Sequence, residues 1–326
     1  MLQLKNSTPF AASATVFANA AGVDTLYVSV KASFSLTKEG WILSEEQVEL
    51  NAEDIYHGDA ASSSLKSPSD MHTGKPGTDV IVIGNAYAPA GTSVQAMDVR
   101  LAFAEKQKIL RVFGDRTWQK GKISSPEPFT EMPIVFERAF GGGPEHKVNE
   151  LNPVGTGYAG GRDAAEMEGV PLPNIESPHQ LVASVKDEPE PVGYAAIAPH
   201  WLPRRSLAGT YDQQWQQTRA PFLPHDFDSR FCQSAPSDQV CGTYLQGGEP
   251  FLIEGMHPGG QLRFSLPSVG LVSKIELKSR TEVAAFNMET VLVQPNDLKI
   301  NLVWRAAVAC GKQVSNIGNI FIQMQR

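Results

Sequence analysis

A chain of 326 residues with a hydrophobic fraction of 41% can bury a sizeable core, as one large all-β domain or two smaller ones. Its 35 acidic against 28 basic residues give a formal charge of -7, which opposes non-specific attraction to nucleic acid or an anionic membrane, so neither is an expected partner. No stretch approaches the roughly 20 apolar residues that cross a bilayer, and Met1–Phe10 lacks the basic and apolar segments of a cleavable leader. Cys232, Cys241 and Cys310 are too few, and odd in number, for a disulfide framework, which fits free thiols and a cytoplasmic location.

From Leu26 the even positions Leu26, Val28, Val30, Ala32, Phe34 and Leu36 are apolar, while Thr25, Ser29, Lys31, Ser33, Ser35 and Thr37 are polar. This two-residue period predicts a half-buried strand, with Lys38-Glu39-Gly40 as the turn that follows. The reading repeats at Val80–Ile83, at Val99, Leu101 and Phe103 against Asp98 and Arg100, and at Ile109–Phe113. It returns at Gln261–Leu266, at Leu271–Lys278, at Ile300–Ala306 and at Asn319–Gln323. The short spacings suit antiparallel hairpins better than helical crossovers. Only Arg162–Glu168 and Asp212–Thr218 read as helices, both short and polar. The expected fold is mainly β: antiparallel, sandwich-like sheets with a long loop-rich insertion and a few short helices. The chain reads as a single unit with an N-terminal β region over 1–127, an irregular region over 128–245 and a C-terminal β region over 246–326.

The irregular region and its approach are dense in Gly, Pro, Trp and charged pairs, as in Gly114-Asp115-Arg116-Thr117-Trp118 and Pro199-His200-Trp201-Leu202-Pro203-Arg204. Long loops inside a compact chain are functional or disordered, and disordered segments are poor in aromatic groups. The stretch therefore predicts an ordered, loop-built surface. Arg116, Arg138, Arg204, Arg205, Arg219 and Arg230 interleave with Trp118, Trp201, Trp215, Tyr211, Phe222 and Phe227, residue types enriched at interface hot spots. The competing reading pairs Arg116 with Asp115, and Arg138 with Glu137 or another acid, as buried ties that fix the loops.

Chemical motifs are weaker. Gly155-Thr156-Gly157-Tyr158-Ala159-Gly160 matches the dinucleotide fingerprint by letter, with Glu176 at the distance of a ribose-binding acid, but the motif follows Asn152-Pro153 instead of a strand, and Pro171 and Pro173 obstruct the helix and second strand. Gly141-Gly142-Gly143 could expose backbone N–H groups to an anion, or simply let one loop pack closely against another. His225, Asp226 and Asp228, with His200 and Cys232 as further candidates, are metal-ligand types without a paired-ligand spacing; the competing reading is a capped short helix with Arg230 pairing an acid. No Gly-x-Ser-x-Gly elbow occurs, and no cofactor is expected.

Read in order, Gly114–Trp118, Pro128–Gly142, Asn152–Gly157, Pro171–Glu176, Pro199–Arg204, Gly209–Trp215, Arg219–Asp228 and Phe231–Gln239 resemble a domain family of uncharacterised proteins encoded in type VI secretion gene clusters, beside PAAR-like spike-tip proteins and toxic effectors. The resemblance runs from about Val80 to Leu266. It implies a cytoplasmic adaptor or chaperone that binds a cognate effector, often through its PAAR-like region, and assists loading onto the secretion spike without catalytic activity of its own. The residues expected to form the partner-binding face are Trp118, Arg138, Trp201, Arg204 and Trp215. Two rival readings are a metal-assisted hydrolase built on His225, Asp226 and Asp228, and a carbohydrate-binding β module that uses exposed Trp side chains.

Overall fold

The computed structural model describes residues 3–278 and 280–325; Met1 and Leu2, the start of the segment read for a leader, lie outside them. The alternating patterns fold as strands, and the chain is mainly β. The 14-residue strand Asp24–Thr37 turns at Gly40, whose φ of +114° suits glycine, into Gly40–Leu43. The patterns at Val99 and Ile109 form the hairpin Ala96–Phe103 and Lys106–Phe113.

Three larger sheets result. In the seven-stranded sheet the order is Val240–Cys241, Thr78–Val82, Asn287–Gln294, Lys299–Ala309, Asp24–Thr37 and Ala11–Ala18, with Gly40–Leu43 also beside Asp24–Thr37. The five-stranded sheet runs Ile175–Glu176, Lys106–Phe113, Ala96–Phe103, Pro250–Glu254 and Leu262–Ser265. The four-stranded sheet runs Gln3–Asn6, Ile317–Met324, Leu271–Leu277 and Arg280–Ala285. Antiparallel pairing dominates, but Thr78–Val82 lies parallel to Asn287–Gln294, and Gln3–Asn6 parallel to Ile317–Met324. The stretches 1–127, 128–245 and 246–326 each supply strands to the largest sheet.

One apolar cluster joins the three sheets: Val28, Val30 and Leu302 of the first, Leu101, Leu110 and Ile253 of the second, and Ile275 and Ile320 of the third. Loops from the irregular region are fastened to it. The Tyr194 hydroxyl donates to the carbonyls of Val99 or Lys108 at 3.0 and 3.1 Å, and Gln239 Nε2 donates to the carbonyls of Val80 and Tyr194. A second, smaller cluster of Trp118, Phe140, Tyr158, Met167, Leu172 and Val182 lies within the loops themselves.

Two expectations change. Residues 162–168 form no more than one capped turn: the Asp163 carboxylate accepts from the N–H groups of Ala165 and Glu166 as a helix cap does, but the chain leaves the helical path at Gly169, whose φ is +76°. Asp24–Thr37 is buried on both faces for most of its length, since the loop carrying Asp70 and Lys75 covers the polar side as well.

Candidate partner-binding surface

The segment after Pro199 builds its surface from short, locally capped pieces. Asp212 caps the helix Gln213–Thr218, its carboxylate accepting from Trp215 N–H at 2.8 Å. Beyond the helix, Trp215 Nε1 donates to the Phe222 carbonyl at 2.9 Å, while Arg219 Nε donates to the Leu223 carbonyl at 2.9 Å. Arg219 also reaches across to the Ala20 carbonyl at 2.7 Å and lies over the Phe222 ring, fixing this turn to the hairpin tip beside it. Gly209 is needed at its own position: at φ +82° an added Cβ would stand 2.9 Å from Pro224.

These ties hold an aromatic group at the surface. Tyr211 is 53% exposed and meets the half-buried Trp215 edge to face at a centroid distance of 4.7 Å. Phe222 is 38% exposed. Trp215 and Arg219, each tied to backbone carbonyls, hold Tyr211 and Phe222 between and beside them, so the group presents contact area at little further entropy cost.

The five residues expected on one face are not brought together. Trp118 and Trp201 are each 1% exposed. Trp118 belongs to the smaller apolar cluster, and Trp201 packs edge to face on Phe136 at 5.7 Å and donates from Nε1 to His200 Nε2 at 3.0 Å. Loops without regular periodicity have no apolar stripe to bury, so large aromatic side chains supply their core. Arg204 is directed inward. It donates to the carbonyls of Phe231 and Ile197 at 2.8 and 2.7 Å, and burial pulls its pKa down despite nearby acids. It also lines a cavity of about 370 Å³ with Ile197, Pro203, Leu207 and Val240. Arg138 is half-exposed and joins loops, donating to Asn174 Oδ1 at 3.0 Å and Asp115 Oδ1 at 3.3 Å. Trp215 alone of the five belongs to the exposed aromatic group with Tyr211 and Phe222.

The arginine pairs exist, with other partners than the neighbours in sequence. Arg116 binds Glu176 and the Pro173 carbonyl in a buried site, while Glu137 accepts from the N–H and hydroxyl of Ser64. Glu176 is therefore a structural anchor. Burial raises its pKa more than Arg116 lowers it. The glycine run serves loop packing: a Cβ on Gly142, at φ +63°, would stand 2.1 Å from the Gly155 carbonyl oxygen.

The histidine and aspartate candidates for a metal are also separated in role. Asp226 accepts from the N–H and hydroxyl of Thr210 at 3.0 and 2.7 Å, which lower its pKa. Asp228 caps the turn Ser229–Cys232 and pairs with Arg230, which lowers its pKa. Among the described residues no group of three or more His, Cys, Asp or Glu side chains is placed to hold a metal ion, so His225, Asp226 and Asp228 do not form one. The three cysteines are free and buried, and burial raises each thiol pKa. No helix among the described residues is long and apolar enough to cross a membrane.

One constellation escaped the sequence. On the polar face of the largest sheet, Lys31 Nζ meets Asp70 at 3.0 Å, Lys75 Nζ meets Asp79 at 2.7 Å, and Arg305 Nε meets Glu289 at 2.8 Å, all buried. Thr290 Oγ1 accepts from Lys75, while Asp79 accepts from the N–H and hydroxyl of Ser234. His72 sits among them, its pKa pushed well below 6.5 by burial and then by Arg305 and Lys75. Three cations thus balance three carboxylates inside the protein, an arrangement in which the cost of desolvation offsets much of the Coulombic gain. The alternating polar positions Ser29, Lys31 and Ser33 were the signal, but they read as the open face of a half-buried strand because the covering loop is remote in sequence.

Neither a curated protein nor a solved structure matches the chain. A family model does, over residues 21–305, and the chain accordingly belongs to the family described as an uncharacterized protein conserved in bacteria, DUF2169.

Proposed function

We propose that the protein is an adaptor or chaperone of type VI secretion that binds a cognate effector, or its PAAR-like region, in the donor cytoplasm and assists its loading onto the secretion spike. The resemblance of the irregular region supplies the secretion context. The observation that carries the binding role is the exposed Tyr211, Trp215 and Phe222 group, held rigid by Asp212 and Arg219. Aromatic and arginine anchors near the centre of a standard interface of about 1,600 Å² account for most of its affinity. In this reading the client covers the aromatic group before delivery, and the buried Trp118 and Trp201 serve only to hold the loops that display it.

Co-purification of the protein with the products of its neighbouring genes, expressed together and identified by mass spectrometry, tests the reading. A stoichiometric complex with one effector or PAAR-like protein is expected, and Tyr211→Ala with Trp215→Ala should weaken it by at least about tenfold while the fold stays intact. A well-folded protein that captures none of these products would end the adaptor reading. A complex untouched by the double substitution would retain the adaptor but move its interface elsewhere.

A further inference from the structure

The edges of the three large sheets are not alike. Gln3–Asn6 is four residues long and carries Lys5, Leu262–Ser265 is four residues long and carries Arg263, and Arg280–Ala285 carries Arg280 and Glu282. Val240–Cys241 and Ile175–Glu176 have two residues each. These are the usual ways of blunting an edge against further pairing. Ala11–Ala18 uses none of them. It is eight residues long, uncharged and free of proline, and pairs with Asp24–Lys31 in unbroken register on one side. Along its other side no described strand follows, and Phe17 is 41% exposed.

A strand added at this edge must alternate between the two faces in phase with Ala11–Ala18, and fits best with small side chains set against Val16 and Phe17. The segment Ala-Ala-Ser-Ala-Thr-Val-Phe-Ala has each of these properties. We propose that Ala11–Ala18 pairs antiparallel with the same strand of a second copy, about a two-fold axis at Ala14. Phe17 then lies opposite Ala11 of the second copy, and Val16 opposite Ala12. Even positions meet even positions, so Ala12, Ala14 and Val16, which already pack against the main core, continue one apolar face through both copies. An outward backbone N–H or C=O on one strand meets its complement on the other, and the contact is isologous and closes at two copies.

Light scattering with size-exclusion chromatography on the full chain, across a range of loading concentrations, tests this. The wild type should run as a dimer at the higher concentrations. Ala11→Lys with Phe17→Lys sets like charges opposite each other at both ends of the pairing and should weaken dimerisation by about tenfold or more. Ala11→Glu with Phe17→Lys sets opposite charges there and should restore it. Ala14→Cys should cross-link to itself on oxidation, because a directly opposed pair has the Cα separation that a disulfide requires; the native thiols are buried and give no such background. A wild type that stays monomeric at every concentration overturns the proposal, as does a dimer insensitive to the Lys pair. A dimer that never cross-links through Ala14→Cys overturns the register.

Discussion

The two faces of strand Asp24–Thr37 are both buried and are held by different physics. On one, Leu26, Val28, Val30 and Ala32 are 0% exposed and belong to the main apolar cluster. On the other, Ser29, Lys31 and Ser33 lie under a loop, in a layer where each charge depends on a particular partner. An apolar face tolerates exchange of one hydrocarbon for another with modest loss. A charged layer fails when a single member is removed, since the remaining charge is left in a medium that solvates it poorly.

Asp79→Ala breaks this contrast most sharply. It removes the carboxylate shared by Lys75 Nζ and the donors of Ser234, leaving the buried Lys75 charge with only Thr290 Oγ1, and a loss of about 3–5 kcal/mol in urea unfolding is expected. A smaller loss, about 2–3 kcal/mol, is expected for Val28→Ala on the apolar face, where only packed hydrocarbon is removed. Lys75→Met combined with Asp79→Asn should cost about 1–2 kcal/mol less than the sum of the two single changes, because the partners fail together; additive losses would show that the pair is not coupled.

Acidity sharpens the comparison further. His72 has a depressed folded pKa, so the unfolded chain takes up its proton first as pH falls, and the stability held above pH 6.5 is lost progressively below it. The slope is at most about 1.4 kcal/mol per pH unit for this one group. Urea midpoints from pH 7.5 to pH 5.5 should therefore flatten in His72→Gln; an unchanged slope would place the titration elsewhere. At the small end, Trp215→Ala should alter stability by no more than about 1 kcal/mol, since the side chain is half-exposed. Trp201→Ala should cost about 3–5 kcal/mol.

The strands were legible because alternation is a local property: the patterns from Leu26, Val99, Ile109, Leu271 and Ile300 each mark a strand. The same alternation could not tell a polar face in water from a polar face beneath a loop, because Asp70 and Asp79 reach Lys31 and Ser234 only through tertiary folding. The candidate surface was legible by composition and mislaid by burial. Trp118, Trp201 and Trp215 share a residue type, and only the packing of Phe136, Phe140 and their neighbours decides which are inside. Arg116 likewise had an acid beside it in sequence and chose Glu176 across the loop.

The largest sheet places Lys299–Ala309 between Asp24–Thr37 and Asn287–Gln294, with Thr25 opposite Ala309. A ribosome makes these segments far apart in time, so the first long strand emerges with one whole side unpaired and keeps it so until Lys299–Ala309 has been made. Pairings this distant are slow, and such exposed edges aggregate while they wait. Chains truncated before Lys299 are accordingly expected to be degraded or insoluble, and the yield of folded protein should depend on this strand being reached more than on how quickly the first one is made.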